Sequence, residues 1–201
     1  TIRLNSSATD YRRILGHASV GNQVDAQGIV EREVIQPTET VLREITPAAE
    51  ALATLRATVR RNRNHDVVEA PLVEAPHRLI GQMGGLAAGL ATVWQCRLDD
   101  PRILDTMWRI VGSTTPPPRL AVIQVLAKAS GPLPVAEAIG QAADCGLIGR
   151  GTAQYALEDL RLLGVVKVTE KATGRRGRPP SVISLSPEWE ERMRKVFYTR
   201  T

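Results

Sequence analysis

The most chemically loaded stretch of this 201-residue sequence is Gly174-Arg-Arg-Gly-Arg-Pro-Pro180. Arg175, Arg176 and Arg178 crowd together there, Lys167 and Lys171 precede them, and Glu170 is the one acid between residues 164 and 185. A guanidinium presents a planar fork of donors that fits phosphate oxygens. Such a focused basic excess points to a polyanionic partner, although a solvated loop has the same composition. The formal net charge is +5, and its location matters more than its size. Residues 1–115 hold 13 Arg, no Lys and 13 acids, whereas residues 116–201 hold 13 basic residues and 8 acids. The whole excess lies in the C-terminal part.

Other candidate chemistries fare worse. Gly16-His-Ala-Ser-Val-Gly-Asn-Gln23 has the glycine spacing of a phosphate-binding loop. Asn22 and Gln23 stand where that loop needs Lys and Ser or Thr, and no apolar strand leads into it. No nucleophile–base pair or carboxylate dyad is evident, so the chain as it stands is expected to be no enzyme and to need no cofactor. Cys96 and Cys145 lack CxxC spacing and read as buried thiols in a reducing, cytoplasmic compartment. His17, His65 and His77 have no metal-like spacing. No apolar run reaches the length of a membrane span, and no secretory leader pattern opens the chain. A start at Thr1 rather than Met suggests a fragment or a trimmed chain.

The elements that must position the basic stretch follow from periodicity. Residues 1–46 read as irregular and partly helical, with a short helix around 39–44. Pro47 is expected to start a firmer helix over 48–62, with Ala51, Leu52, Leu55 and Val59 at helical spacing. Arg56, Arg60, Arg61 and Arg63 would crowd its C-terminal end, where cations suit the helix dipole; phosphate contact is the alternative use of the cluster. Residues 64–76 read as an extended connector. A helix over 76–95 carries the apolar stripe Leu79, Ile80, Met83, Leu86, Leu90, Val93 and Trp94. Asp100-Pro101 caps the next helix, 102–111, which buries Ile103, Leu104, Met107, Trp108 and Val111. Residues 112–118, with three prolines, form the clearest boundary. Helices are then expected over 119–129, 135–142 with Ile139 facing inward, and 151–163. Gly164 stops the last of these, and Thr152 or Gly149 caps its start. Two β runs, Val165-Val166-Val168 and Val182-Ile183-Leu185, flank the basic stretch. A final helix over 188–198 docks through Trp189, Met193, Val196 and Phe197.

Three helices followed by a hairpin with a basic tip is the plan of a winged helix-turn-helix. The run Thr152-Ala-Gln-Tyr-Ala-Leu-Glu-Asp-Leu-Arg-Leu-Leu-Gly-Val-Val166 resembles the recognition helix of prokaryotic winged-helix proteins, and residues 174–180 resemble their wing tip. The expected fold is mainly α with a small β-hairpin wing: a helical N-terminal domain followed by a winged helix-turn-helix over 116–201. That resemblance implies double-stranded DNA as partner. With Leu157 and Leu160 buried, Arg150, Thr152, Gln154, Tyr155 and Glu158 face outward. Arg150 would bond guanine, Gln154 adenine or a phosphate, and Tyr155 a phosphate or a thymine methyl. Glu158 and Asp159 repel phosphate and should sit away from it. Arg176-Gly-Arg-Pro179 matches the core of an AT-hook. Lys171, Arg175, Arg176 and Arg178 are thereby placed in the minor groove or on phosphates.

Residues 75–91 with 98–104 resemble something else, the helical lid of AAA+ ATPases of the MCM and origin-recognition type. In such ATPases a winged helix often follows the lid. The resemblance implies a lid-like domain over 47–113, with Arg78 at the position of the arginine that senses nucleotide. It also implies an ATPase core, or a homo-oligomer, as a further partner. Three readings follow: the C-terminal part of an ATP-dependent protein of replication or a related DNA transaction; a stand-alone transcriptional regulator whose N-terminal helices dimerise or bind an effector; and a protein-interaction winged helix that has lost DNA binding, against which the basic wing argues.

Overall fold

The computed structural model describes residues 22–24, 30–32, 39–170 and 181–197. Among these it is mainly helical, with one two-stranded and one three-stranded antiparallel sheet. The chain divides into two compact units that are not the contiguous spans 47–113 and 116–201. Residues 1–53 group with 75–111, and residues 54–74 group with 112–201.

In the first unit, β1 (Asn22–Val24) pairs with β2 (Val30–Arg32), Asn22 opposite Arg32. Helix α1 (Glu39–Leu55) runs through Pro47 without a break, so the proline does not start a helix as expected. The buried set Val41, Ile45, Ala48, Ala49 and Leu52 recurs at helical spacing across it. Burial of that continuous stripe offsets the hydrogen bond that proline cannot make. Helix α2 (His77–Trp94) buries Leu79, Ile80, Met83, Ala87, Ala88 and Ala91. Leu86, Val93 and Trp94, expected in the same stripe, are exposed. The alanines narrow the packed face and leave the bulkier residues outside it. Helix α3 (Pro101–Thr114) buries Ile103, Met107, Trp108 and Val111, and Trp108 Nε1 donates to Glu44 Oε2 at 3.4 Å. Asp100 caps α3 as expected. Its Oδ1 accepts the Arg102 backbone N–H at 2.9 Å, and the Arg102 guanidinium grips both carboxylate oxygens. Those bonds, led by the side-chain one, hold the Asp100 pKa down to about 2. Partial burial, then the Asp100 charge, push the Cys96 thiol up.

In the second unit, α1 ends at Leu55 rather than near residue 62, and residues 58–72 form a hairpin rather than an open connector. Thr58 bridges Leu72 and Arg61 bridges Val67, both antiparallel. The reason lies in the tip. Asn62 Oδ1 accepts the N–H groups of Asn64 and Asp66, both at 2.9 Å, and His65 takes a left-handed conformation with φ 66°. An asparagine side chain that bonds its own backbone ahead makes a turn, and β-branched Thr58, Val59, Val67 and Val68 favour the strand-like arms.

Helix α4 (Pro117–Lys128) starts inside the proline run rather than after it at residue 119, with Pro116 as N-cap; a proline in the first turn has no N–H that a helix would need. Strand β3 (Leu133–Pro134) pairs with the later β5, a pairing too short for periodicity to reveal. Helix α5 (Val135–Gly146) buries Ala138, Ala142 and Ala143, while Ile139 is only half-buried. Where α5 crosses α4, a Cβ on Gly146 would lie 2.7 Å from the Ala121 Cβ, so the crossing needs glycine there. Cys145 is exposed and Cys96 half-buried, neither in a disulfide, which corrects the expectation of buried thiols. Helix α6 (Arg150–Leu162) buries Ala153, Ala156, Leu157 and Leu160. Its C-terminus closes as a Schellman motif: Gly164, at φ 73°, donates to Arg161 O, and Val165 donates to Leu160 O at 2.9 Å. Strands β4 (Val166–Glu170) and β5 (Ser181–Leu185) pair antiparallel from Val166↔Leu185 to Glu170↔Ser181, giving the sheet order β3-β5-β4. Helix α7 (Pro187–Phe197) buries Trp189 and Met193.

Candidate nucleic-acid interface

Helix α6 is positioned from three sides. Its buried stripe packs towards α4, α5 and β4, Gly149 provides an extended N-cap, and Gly164 ends it. Thr152 makes no cap bond, so the cap falls to Gly149 of the two expected candidates. Arg150, Thr152, Gln154 and Arg161 are exposed. At 100° per residue, Arg150, Gln154 and Arg161 line one flank over about 16 Å. On this side α5 lies beside the helix: a Cβ placed on Gly140 would lie 3.8 Å from Arg150 Nη2.

The other flank is occupied. Arg61, from the 58–72 hairpin, donates to Asp159 Oδ1 at 2.7 Å, to Glu158 Oε2 at 2.8 Å and to His65 O at 2.9 Å. Arg119, only 7% exposed, donates through Nη2 to Asp159 Oδ2 at 3.0 Å. Its Nη1 donates to Leu55 O at 2.8 Å and Ala57 O at 2.7 Å. One carboxylate thus bridges two arginines, and Arg119 also clasps the backbone where α1 ends. Burial opposes the Arg61 charge, but the hydrogen bonds it donates to Asp159 and Glu158 outweigh it and raise its pKa. Tyr155 completes the flank. His65 stacks on its ring at 5.0 Å and the Arg61 guanidinium lies 5.0 Å from the same centroid.

The expected site residues therefore part company. Arg150 and Gln154 stand together on one flank of the first turns of α6, and Thr152 lies across the helix from them; all three are open to solvent. Tyr155 retains 36% exposure, and its ring is also the seat of the hairpin tip. Glu158 and Asp159 are engaged by arginines of the same unit, Glu158 by Arg61 and Asp159 by Arg61 and Arg119. Lys171, Arg175, Arg176 and Arg178 lie outside the described residues, as does most of the glycine-spaced segment at 16–23. Arg78 is exposed on the first turn of α2, in the first unit. His65 and Arg119 had no expected role in the site, and neither had the contact of Arg61 with this helix. The signal for the hairpin was present in Asn62 and Asn64 between β-branched pairs. The pairing of Arg61 with Asp159, 98 residues on, left no local trace.

Among the described residues, no cluster of metal-ligating side chains comes together and no helix is long and apolar enough to cross a membrane. No protein-family model matches the chain, and neither a curated protein nor a solved structure matches it.

Proposed function

We propose that the chain binds double-stranded DNA through its second unit, with α4, α5, α6 and the β4–β5 hairpin acting as a winged helix-turn-helix. In this reading α6 enters the major groove by its first turns. Residues 171–180 form the wing, which lies in the minor groove or on phosphates. The observation that carries the reading is the state of α6. Arg150, Thr152 and Gln154 are exposed at its start, while both of its acids are neutralised by arginines of the same unit. A helix with an open N-terminus and no acid in its first turn also offers backbone N–H groups to a phosphate. Binding selection on the full chain with randomised duplex DNA tests this: a recovered site whose preference changes in Arg150→Ala and Gln154→Ala is the expected result. Preference-free binding indifferent to both substitutions would refute it.

We further read the chain as the C-terminal part of a cytoplasmic, ATP-dependent DNA-transaction protein, partnered by an ATPase core or a second copy. What supports this is the order of α2, α3 and the basic unit, and the place of Arg78 on the first turn of α2. A longer reading frame carrying a phosphate-binding loop upstream is the expected observation. A self-sufficient dimer on a palindromic site would instead mark a stand-alone regulator.

A further inference from the structure

The 58–72 hairpin is more than a brace. Its tip, residues 62–66, is closed by the Asn62 side chain and seated on Tyr155 through the His65 ring. Tyr155 follows Gln154 directly, so the tip stands at the flank of the turns assigned above to the groove. Arg63 projects from this tip, is exposed, and has no acidic partner among the described residues. Asp66, the tip's one acid, has a carboxylate oxygen 3.1 Å from Asn62 Nδ2, which donates to it.

We propose that this tip is a second phosphate-binding arm, with Arg63 contacting the DNA backbone beside the groove that α6 enters. The inference rests on the DNA-binding reading of α6. Its physical basis is a matter of widths. A helix with its side chains is about 10–12 Å across and the major groove about 12 Å wide. A segment flush against the flank of a seated helix therefore meets the edge of the groove, and that edge is a row of phosphates. The arm is also pre-ordered. Arg61, Asp159 and Arg119 hold it in place before any ligand arrives, so little ordering entropy is left for binding to offset. Arg56 provides an internal comparison. It too is exposed and without an acidic partner among the described residues, but it stands at the base of the hairpin, seven residues from Arg63.

The test uses the full chain and a fluorescently labelled mixed-sequence duplex of about 30 base pairs, titrated by anisotropy across a salt series. Arg63→Ala should weaken binding about 3–10-fold and reduce the slope of log affinity against log salt by about 1, the mark of one lost phosphate contact. Arg63→Lys should keep most of the affinity, and Arg56→Ala should change it less than about twofold. Thermal melting of each variant confirms an intact fold. If Arg63→Ala binds like the parent while Arg150→Ala still weakens binding, the arm is wrong and the groove reading stands. Equal losses for Arg63→Ala and Arg56→Ala would reduce the effect to net charge and overturn the arm. A parent chain that binds no duplex would overturn both.

Discussion

The two flanks of α6 carry similar polar side chains but have opposite fates. Arg150, Gln154 and Arg161 face solvent along one flank, whereas Tyr155, Glu158 and Asp159 on the other are held by His65, Arg61 and Arg119. A helical wheel separates inside from outside. It does not distinguish a polar residue left for a ligand from one claimed by a distant segment of the same chain. Here the claimed flank includes both acids, so the intramolecular contacts also remove the charges least compatible with a nucleic acid.

The largest expected effect comes from breaking the held flank at its centre. Asp159→Ala leaves Arg119 buried with no carboxylate and loosens Arg61, at a cost of about 3 kcal/mol in a urea titration. An unchanged midpoint would mean that the two arginines do not depend on it. Next is the support behind the open flank. Gly146→Ala places a methyl against Ala121 where α5 crosses α4, and about 2 kcal/mol should be lost. Ala121→Gly in the same molecule should restore part of it, and strict additivity of the two changes would rule out the contact. A third test contrasts the flanks directly. Arg150→Ala and Gln154→Ala should leave stability within about 0.5 kcal/mol and alter DNA preference by about 1–3 kcal/mol at the affected base. Tyr155→Ala should do the reverse, losing about 1 kcal/mol of stability with its ring contacts while site preference stays. Matching behaviour of all three variants would erase the distinction.

The smallest effect serves as a baseline outside both flanks. Asp100 has a pKa held down to about 2, below the usual carboxylate range near 4. Its contribution is therefore fully present above about pH 4 and lost as the pH falls through about 2. The gap in denaturation midpoint between the parent and Asp100→Asn should close over that interval. A gap independent of pH would mean that its capping bonds do not require the charge.

Where local chemistry decides a structure, the residues announced it. Asp100-Pro101 starts α3, Gly164 closes α6, and alternating valines and isoleucine form β4 and β5. Reading failed where a longer-range term prevailed. Pro47 suggests a helix start, yet a stripe from Val41 to Leu52 carries one helix through it. Val59 continues the spacing of Leu52 and Leu55, yet Arg119 takes the Leu55 and Ala57 carbonyls and the chain leaves the helix there. In the candidate site, the solvent-facing set on α6 was evident from its buried leucines and alanines. Which members were spoken for depended on residues nearly a hundred positions away.

The same distance has a consequence in time. The second unit straddles the chain: residues 54–74 are made well before residues 112–197 that complete it. At a synthesis rate of about 5–20 residues per second, Arg61 waits about 5–20 s for Asp159 to emerge. Throughout that interval the hairpin's cations have no carboxylate from α6 to meet, and residues 75–111 are translated in between. The clasp by Arg119 and Asp159 is thus a late event in the life of each molecule, the step that turns a separately born segment into part of the same body.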